Sequence, residues 1–232
     1  MKIAVVGSGI AGLSAAWQLS NDHEVTVFER SARPGMDAHG LDIESSAGNA
    51  RIDIPLRVFF GGFYPNLSAL YEYLGIDCHP INYSASFGTL HEATYFRYDN
   101  YKFGGYSLPF FKGRHSLSPK SLRIGWDIVR FFRQIPGSLA TGIADELSLA
   151  GYVEENNLSQ DFAEGFLYPA FAGICTCSHE RIREYPARVV LEYLNTGLLF
   201  SSVRRVTQGT QEVVKRMAKT YISVRRSWMW CQ

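Results

Sequence analysis

The chain has 232 residues and a formal net charge of +1, with 46% hydrophobic and 19% charged residues. That length supports one or two domains at about 150 residues each, and the composition is globular with ample material for a core. The near-neutral balance argues against a polyanion partner: basic residues are scattered, and Arg204-Arg205 with Arg225-Arg226 are too few for a nucleic-acid surface.

Ile3 to Val6 is a short apolar run of the kind that forms a buried parallel strand. Gly7-Ser8-Gly9-Ile10-Ala11-Gly12 follows, and each glycine has a mechanical role. Gly7 allows a tight turn, Gly9 lets a pyrophosphate approach the backbone, and Gly12 lets the next helix pack closely. That helix begins near Ile10, its free N–H groups suited to a diphosphate. Ser8 lies inside the turn, where its hydroxyl is expected to contact phosphate. Val25 to Phe28 reads as a second strand ending at Glu29, placed to accept hydrogen bonds from the ribose hydroxyls of an adenosine. A carboxylate there disfavours NADP and leaves FAD and NAD open.

Residues 31–40 read as a loop. Leu41–Glu44 and Arg51–Ile54 read as a hairpin with a five-residue turn, and Pro65-Asn66-Leu67 as the start of a helix stopped by Gly75. Antiparallel strands are expected over 81–106, with turns at Asp99-Asn100 and Gly104-Gly105. A helix from Ser118 presents Leu122, Trp126, Val129, Phe132 and Ile135 as an apolar stripe and ends at Pro136-Gly137. Further helices are read over 147–155, 162–174, from Pro186 to Asn195 and over 209–218, with strands over 203–206 and 221–224.

Catalytic side chains are not assignable. Ser8 is not set in a G-x-S-x-G elbow, which disfavours hydrolase chemistry. The six histidines are dispersed without the i, i+4 spacing of a metal pair, and Cys175-Thr176-Cys177 lacks a second ligand pair, so no metal site is expected. The cysteines read as buried structural residues, and His39 as a loop residue near the cofactor segment. The aromatic runs at 59–64 and 95–111 suit either a core or an apolar pocket. No signal peptide or membrane-spanning run is read, and a cytoplasmic location is expected.

The chain resembles the FAD-binding amine-oxidase superfamily. The similarity is carried by Gly7 to Glu29, by Glu29-Arg30-Ser31-Ala32-Arg33-Pro34-Gly35, by Ile52-Asp53-Ile54-Pro55-Leu56 with Tyr64-Pro65-Asn66-Leu67 and Leu74-Gly75-Ile76, and by Val206-Thr207-Gln208-Gly209-Thr210. The resemblance implies an α/β fold: a discontinuous Rossmann-like FAD/NAD(P)-binding domain from 1–60 and 196–232, with an inserted mixed β/helical substrate (cap) region over 61–195. It implies FAD as cofactor, held by Gly7, Ser8, Gly9, Ile10, Ala11, Gly12 and Glu29, with Arg30, Arg33 and Gly35 near the diphosphate or flavin edge. It implies oxidation of a small organic substrate by hydride transfer to flavin. Met36, Asp37, Pro55-Leu56 and Gln208 depart from the family pattern, and the chain reads as an N-terminal piece of a longer family member. Two other readings stay open: a truncated, non-catalytic dinucleotide-binding remnant, and an NAD-dependent dehydrogenase. The substrate and oligomeric state are not legible.

Overall fold

The computed structural model describes residues 1–35, 40–46, 48–54, 57–91, 94–103, 106–111, 117–198, 201–218 and 223–226. Met36, Asp37, His39, Pro55, Leu56, Gly104, Gly105, Tyr221 and the tail after Arg226 lie outside them. In chain order the first elements are β1 (Lys2–Val6), α1 (Ile10–Leu19), β2 (Glu24–Glu29), β3 (Leu41–Ser45), β4 (Gly48–Ile52), α2 (Pro65–Tyr73) and β5 (Cys78–Pro80). Then come β6 (Ala85–Phe87), β7 (Phe96–Phe103), β8 (Tyr106–Phe111), α3 (Pro119–Thr141), α4 (Ile143–Glu146), α5 (Leu149–Glu155) and α6 (Gln160–Phe162). A π-helical turn (Ala163–Leu167) leads into α7 (Tyr168–Cys175), α8 (His179–Arg183) and α9 (Ala187–Asn195). β9 (Arg204–Val206), α10 (Thr210–Ala218) and β10 (Ser223–Arg226) close the described chain. These elements form two compact units, Met1–Ile81 with Arg204–Gln232, and Asn82–Val203.

In the first unit, β1 and β2 pair in parallel from Lys2↔Glu24 to Val6↔Phe28, and β10 adds in parallel to the other side of β2. The sheet order is β1-β2-β10. Ala16 of α1 packs on Val25 and Val27, a small residue that lets the helix approach the sheet. On the adjoining face of the helix, Leu13 joins Phe59, Tyr71, Ile76, Val206, Val213 and Met217. Burying a leucine such as Leu13 contributes about 1.5–3 kcal/mol. Residues 61–81, read from the sequence as part of the inserted region, belong to this unit because Tyr71 and Ile76 are buried in its core. β1 is less buried than an interior parallel strand: Ala4 and Val6 are exposed on one face.

The β3–β4 ladder runs from Leu41↔Ile52 to Ser45↔Gly48, which leaves two linking residues where the sequence suggests five. Asp99 and Asn100 stand inside β7, opposite Phe110 and Pro109, and do not form a turn. Asn100 N–H donates to Ser84 Oγ at 2.9 Å and Asp99 accepts from Arg97, two residues before it, at 3.0 Å, so the strand pairing holds both residues extended.

The second unit is mainly helical. α3 does not end at Pro136-Gly137; it continues to Thr141, where Gly142 (φ +77°) terminates it. Pro136 removes one N–H, but it sits on the exposed side while Ile135 and Ser138 anchor the helix around it. The buried face also differs from the apolar stripe. It is Ser121, Ile124, Asp127, Phe131, Ile135 and Ser138, whereas Leu122, Trp126 and Val129 are exposed. Apolar periodicity misses this face because its polar members are satisfied by partners remote in sequence. Ser121 Oγ donates to Tyr95 O at 2.8 Å, Ser138 Oγ and Tyr152 Oη are 2.7 Å apart, and Asp127 accepts from Ser159 N–H at 2.9 Å. Tyr95 Oη donates to Gly165 O within the π-helical turn at 2.7 Å. Cys78, Cys175 and Cys177 are half-buried rather than buried. Burial pushes the Cys78 and Cys175 thiols up.

Asp53 is buried between strand and helix, and accepts from the Thr210 N–H at 3.0 Å and the Thr210 hydroxyl at 2.9 Å. It therefore caps α10 from a remote segment. Asp53→Ala leaves both donors unsatisfied and is expected to lower stability by about 1–3 kcal/mol, read as a drop in the urea midpoint.

Candidate dinucleotide site

The site is built where β1 gives way to α1. Gly7 has φ +90°, and its N–H donates to Phe28 O of β2 at 2.8 Å, so the turn is pinned to the neighbouring strand. Gly9 caps the helix with φ −61° and ψ 176°, and the first intrahelical bond runs from Leu13 N–H to Gly9 O at 2.9 Å. The amides of Ile10, Ala11 and Gly12 thus precede the helical ladder and point out of the helix start. No acidic residue stands in the first turn to compete for them. The result is a positive helix end suited to an anion.

Two glycines here differ in what requires them. A Cβ on Gly12 would lie 2.0 Å from Gly7 O, so the protein's own turn excludes any larger residue. A Cβ on Gly9 would meet nothing within 4 Å, and its backbone angles suit any residue. Gly12 is glycine because of the fold, whereas nothing in the protein demands glycine at 9.

Glu29 closes the site from β2. Oε2 accepts from the Ser8 N–H at 2.9 Å and also from the Ser8 hydroxyl, and Oε1 accepts from the Ser31 N–H at 2.7 Å. Burial raises the carboxyl's pKa, but the Ser8 hydroxyl and the Ser31 and Ser8 amides outweigh it and hold it at about 2. Glu29 is therefore a full anion at neutral pH. A carboxylate oxygen offers about two acceptor positions. Those on Oε2 are occupied by Ser8, and the carboxylate also takes the Ser31 hydroxyl, so an incoming ribose hydroxyl would take the place of that serine donor.

Ser8 is turned inward. It is fully buried, both its donors go to Glu29, and its hydroxyl accepts from the Gly35 N–H at 2.6 Å. The expectation that its hydroxyl contacts phosphate is corrected: Ser8 has no donor left and instead locks turn to strand. Gly35 serves the same lock. Its φ is +72°, and a Cβ there would lie 2.6 Å from Val214 Cγ2 and 2.9 Å from Leu13 Cδ1. Its N–H is committed to Ser8, so it seats the loop on α1 and α10. Arg30 is exposed just after β2. Arg33 donates Nη1 to Gly40 O at 2.9 Å and lines an open cavity of about 370 Å³ with Asp42, Gln211, Val214 and Lys215. Gly7, Gly9, Ile10, Ala11, Gly12 and Glu29 converge at the β1–α1 crossing, and Arg33 stands on the loop beyond it. The aromatic run at 59–64 divides, Phe59 and Phe60 being buried while Phe63 and Tyr64 are exposed. Asp53 was visible only as the end of a strand; its bond to Thr210, 157 positions away, leaves no local signal.

Residues 5–74 match the family described as NAD(P)-binding Rossmann-like domain. The parallel β1–α1–β2 arrangement over those residues has the order of a Rossmann-like fold. Zeta-carotene desaturase of Zea mays is 37% identical over 78 residues, which is 33% of this chain and 13% of that protein. D-amino acid dehydrogenase of Neisseria meningitidis is 45% identical over 51 residues, 22% of this chain and 10% of that one. The matched segments are thus a small part of these relatives. The crystal structure of a fatty acid isomerase from P. acnes superposes with a TM-score of 0.60 at 15% identity, covering 96% of this chain and 50% of that one. The chain spans about half the length of that structure and shares its fold. These findings fit the amine-oxidase superfamily resemblance, with the Rossmann-like domain as the shared part.

Because Glu29 titrates lower in the folded chain than its ordinary value of 4.5, its ionisation stabilises the fold above that value. The contribution is lost as pH falls from about 4.5 toward 2. Urea midpoints measured across that window should fall less steeply for Glu29→Gln than for the native chain.

Proposed function

We propose that the Rossmann-like domain binds FAD and that the chain is the flavin-binding part of an oxidoreductase acting on a small organic molecule, in the manner of amine oxidases. The observation that carries this reading is Gly9. The protein has no internal use for glycine there, whereas a diphosphate lying against the helix start does. The residues present fit the adenosine-diphosphate half of the cofactor. Amides of Ile10, Ala11 and Gly12 face the diphosphate, and the Glu29 carboxylate accepts a ribose hydroxyl in place of the Ser31 hydroxyl. The ionised carboxylate repels a 2′-phosphate, which favours FAD or NAD over NADP.

Bound flavin accepts a hydride from a substrate carbon, while the protein supplies orientation and a dry pocket. Arg33, charged and beside an open cavity, supplies positive charge near the diphosphate or flavin edge, with Arg30 on the same loop. The unit spanning Asn82–Val203 is assigned to substrate covering, and the cytoplasm is the proposed location. The names of the relatives, a desaturase and a dehydrogenase, support redox chemistry of this class.

The full chain incubated with FAD and desalted should be yellow, with flavin absorbance co-eluting with protein. A chain that stays colourless overturns the reading in favour of a non-catalytic remnant. Glu29→Ala should weaken binding of the adenosine half by about 1.5–3 kcal/mol, the scale for a hydrogen bond to a charged group. Gly9→Val should abolish binding with the melting temperature unchanged. Gly12→Ala, by contrast, should lower the melting temperature even without ligand. Calorimetric titration with ADP beside thermal melts separates these outcomes.

A further inference from the structure

Leu122, Trp126 and Val129 are 58%, 67% and 50% exposed and stand at i, i+4 and i+7 on α3, so they form one outward stripe. Arg133, exposed and the next residue in the same row, ends it. Leu117, 79% exposed, stands just ahead of the helix. α3 itself presents no exposed carboxylate: Asp127, its one acid, is buried. Arg123 and Arg130 adjoin the stripe, tied to Asp161 at 2.6 Å and Asp127 at 2.9 Å. The inner face is independently anchored by Ile124, Phe131 and Ile135, so the outer one is not needed for folding.

We propose that this face of α3 lies on an anionic lipid bilayer surface. A helix of 23 residues, about 35 Å long, can lie flat on a membrane and sink its outer row into the headgroup–acyl boundary. Leucine and valine enter the acyl edge, and an indole carries both an apolar body and an N–H donor suited to the headgroup level. Arg133 in the same row pairs with lipid phosphates, and the burial of Asp127 keeps α3's one acid out of the row. No helix among the described residues is long and apolar enough to cross a membrane, so the contact is peripheral. It does not depend on flavin binding.

Vesicle co-sedimentation of the full chain tests this. Binding is expected to phosphatidylcholine vesicles containing phosphatidylglycerol, and to be weaker without it. Combined Leu122→Ser, Trp126→Ser and Val129→Ser should reduce binding by at least about tenfold, with the circular dichroism spectrum unchanged. Arg133→Glu alone should remove the preference for phosphatidylglycerol, and this holds the test open should the triple variant misfold. The proposal is overturned by absent vesicle binding or by native affinity in both variants. It is equally overturned by sedimentation velocity showing a dimer that the triple variant abolishes, which would assign the stripe to a second copy of the chain.

Discussion

The Glu29 carboxylate is the interaction on which the dinucleotide-binding end of this chain depends. It draws the Ser8 amide and hydroxyl onto one oxygen and the Ser31 amide onto the other. Ser8 in turn receives the Gly35 N–H. Two segments remote in sequence are fastened to one charged group: the glycine turn, and the end of β2 with the loop that follows it. Hydrogen bonds to an ionised group are about twice as strong as neutral ones. The network therefore sets the turn rigidly before any ligand arrives.

That rigidity matters because the helix start is the reactive surface. A diphosphate placed there would meet amides already aligned, so little ordering would be required on binding. The fold keeps α1 close to the sheet through Ala16 and holds the adjoining face with the cluster around Leu13. Gly12 and Gly35 are the positions where backbone or side chains come so near that only hydrogen fits. The buried Asp53 performs the matching task for α10, capping it from a strand far away in sequence. Carboxylates thus organise two helices of this unit, one through the turn before α1 and one directly at the α10 N-terminus.

Much of the first unit was legible in the chain. The β1–turn–α1–β2 order, the end of α2 at Gly75 and the strand–helix–strand at 204–226 follow from local signals. Local signals misled where partners lie far off. Asp99 and Asn100 have turn chemistry, yet cross-strand neighbours hold them in β7. Pro136-Gly137 is a strong stop, yet α3 passes through because buried residues on either side hold it. The apolar row Leu122, Trp126, Val129 has helical spacing, yet the core took the adjoining face, whose serines and aspartate find hydrogen bonds in other elements. Ser8 likewise had the right address for phosphate and turned inward to a better acceptor.

The sequence by itself determined where a dinucleotide could rest, because a glycine turn between strand and helix, followed by an acid, is a short-range pattern. Each of its members acts within a few residues or across one strand pair. Only the tertiary structure decided which glycines serve the fold and which leaves room for a ligand, since that depends on what occupies the space beside each Cα. It alone decided which face of α3 is buried, because a buried polar group is tolerable only when its partner is present, and here those partners come from other elements of the same unit.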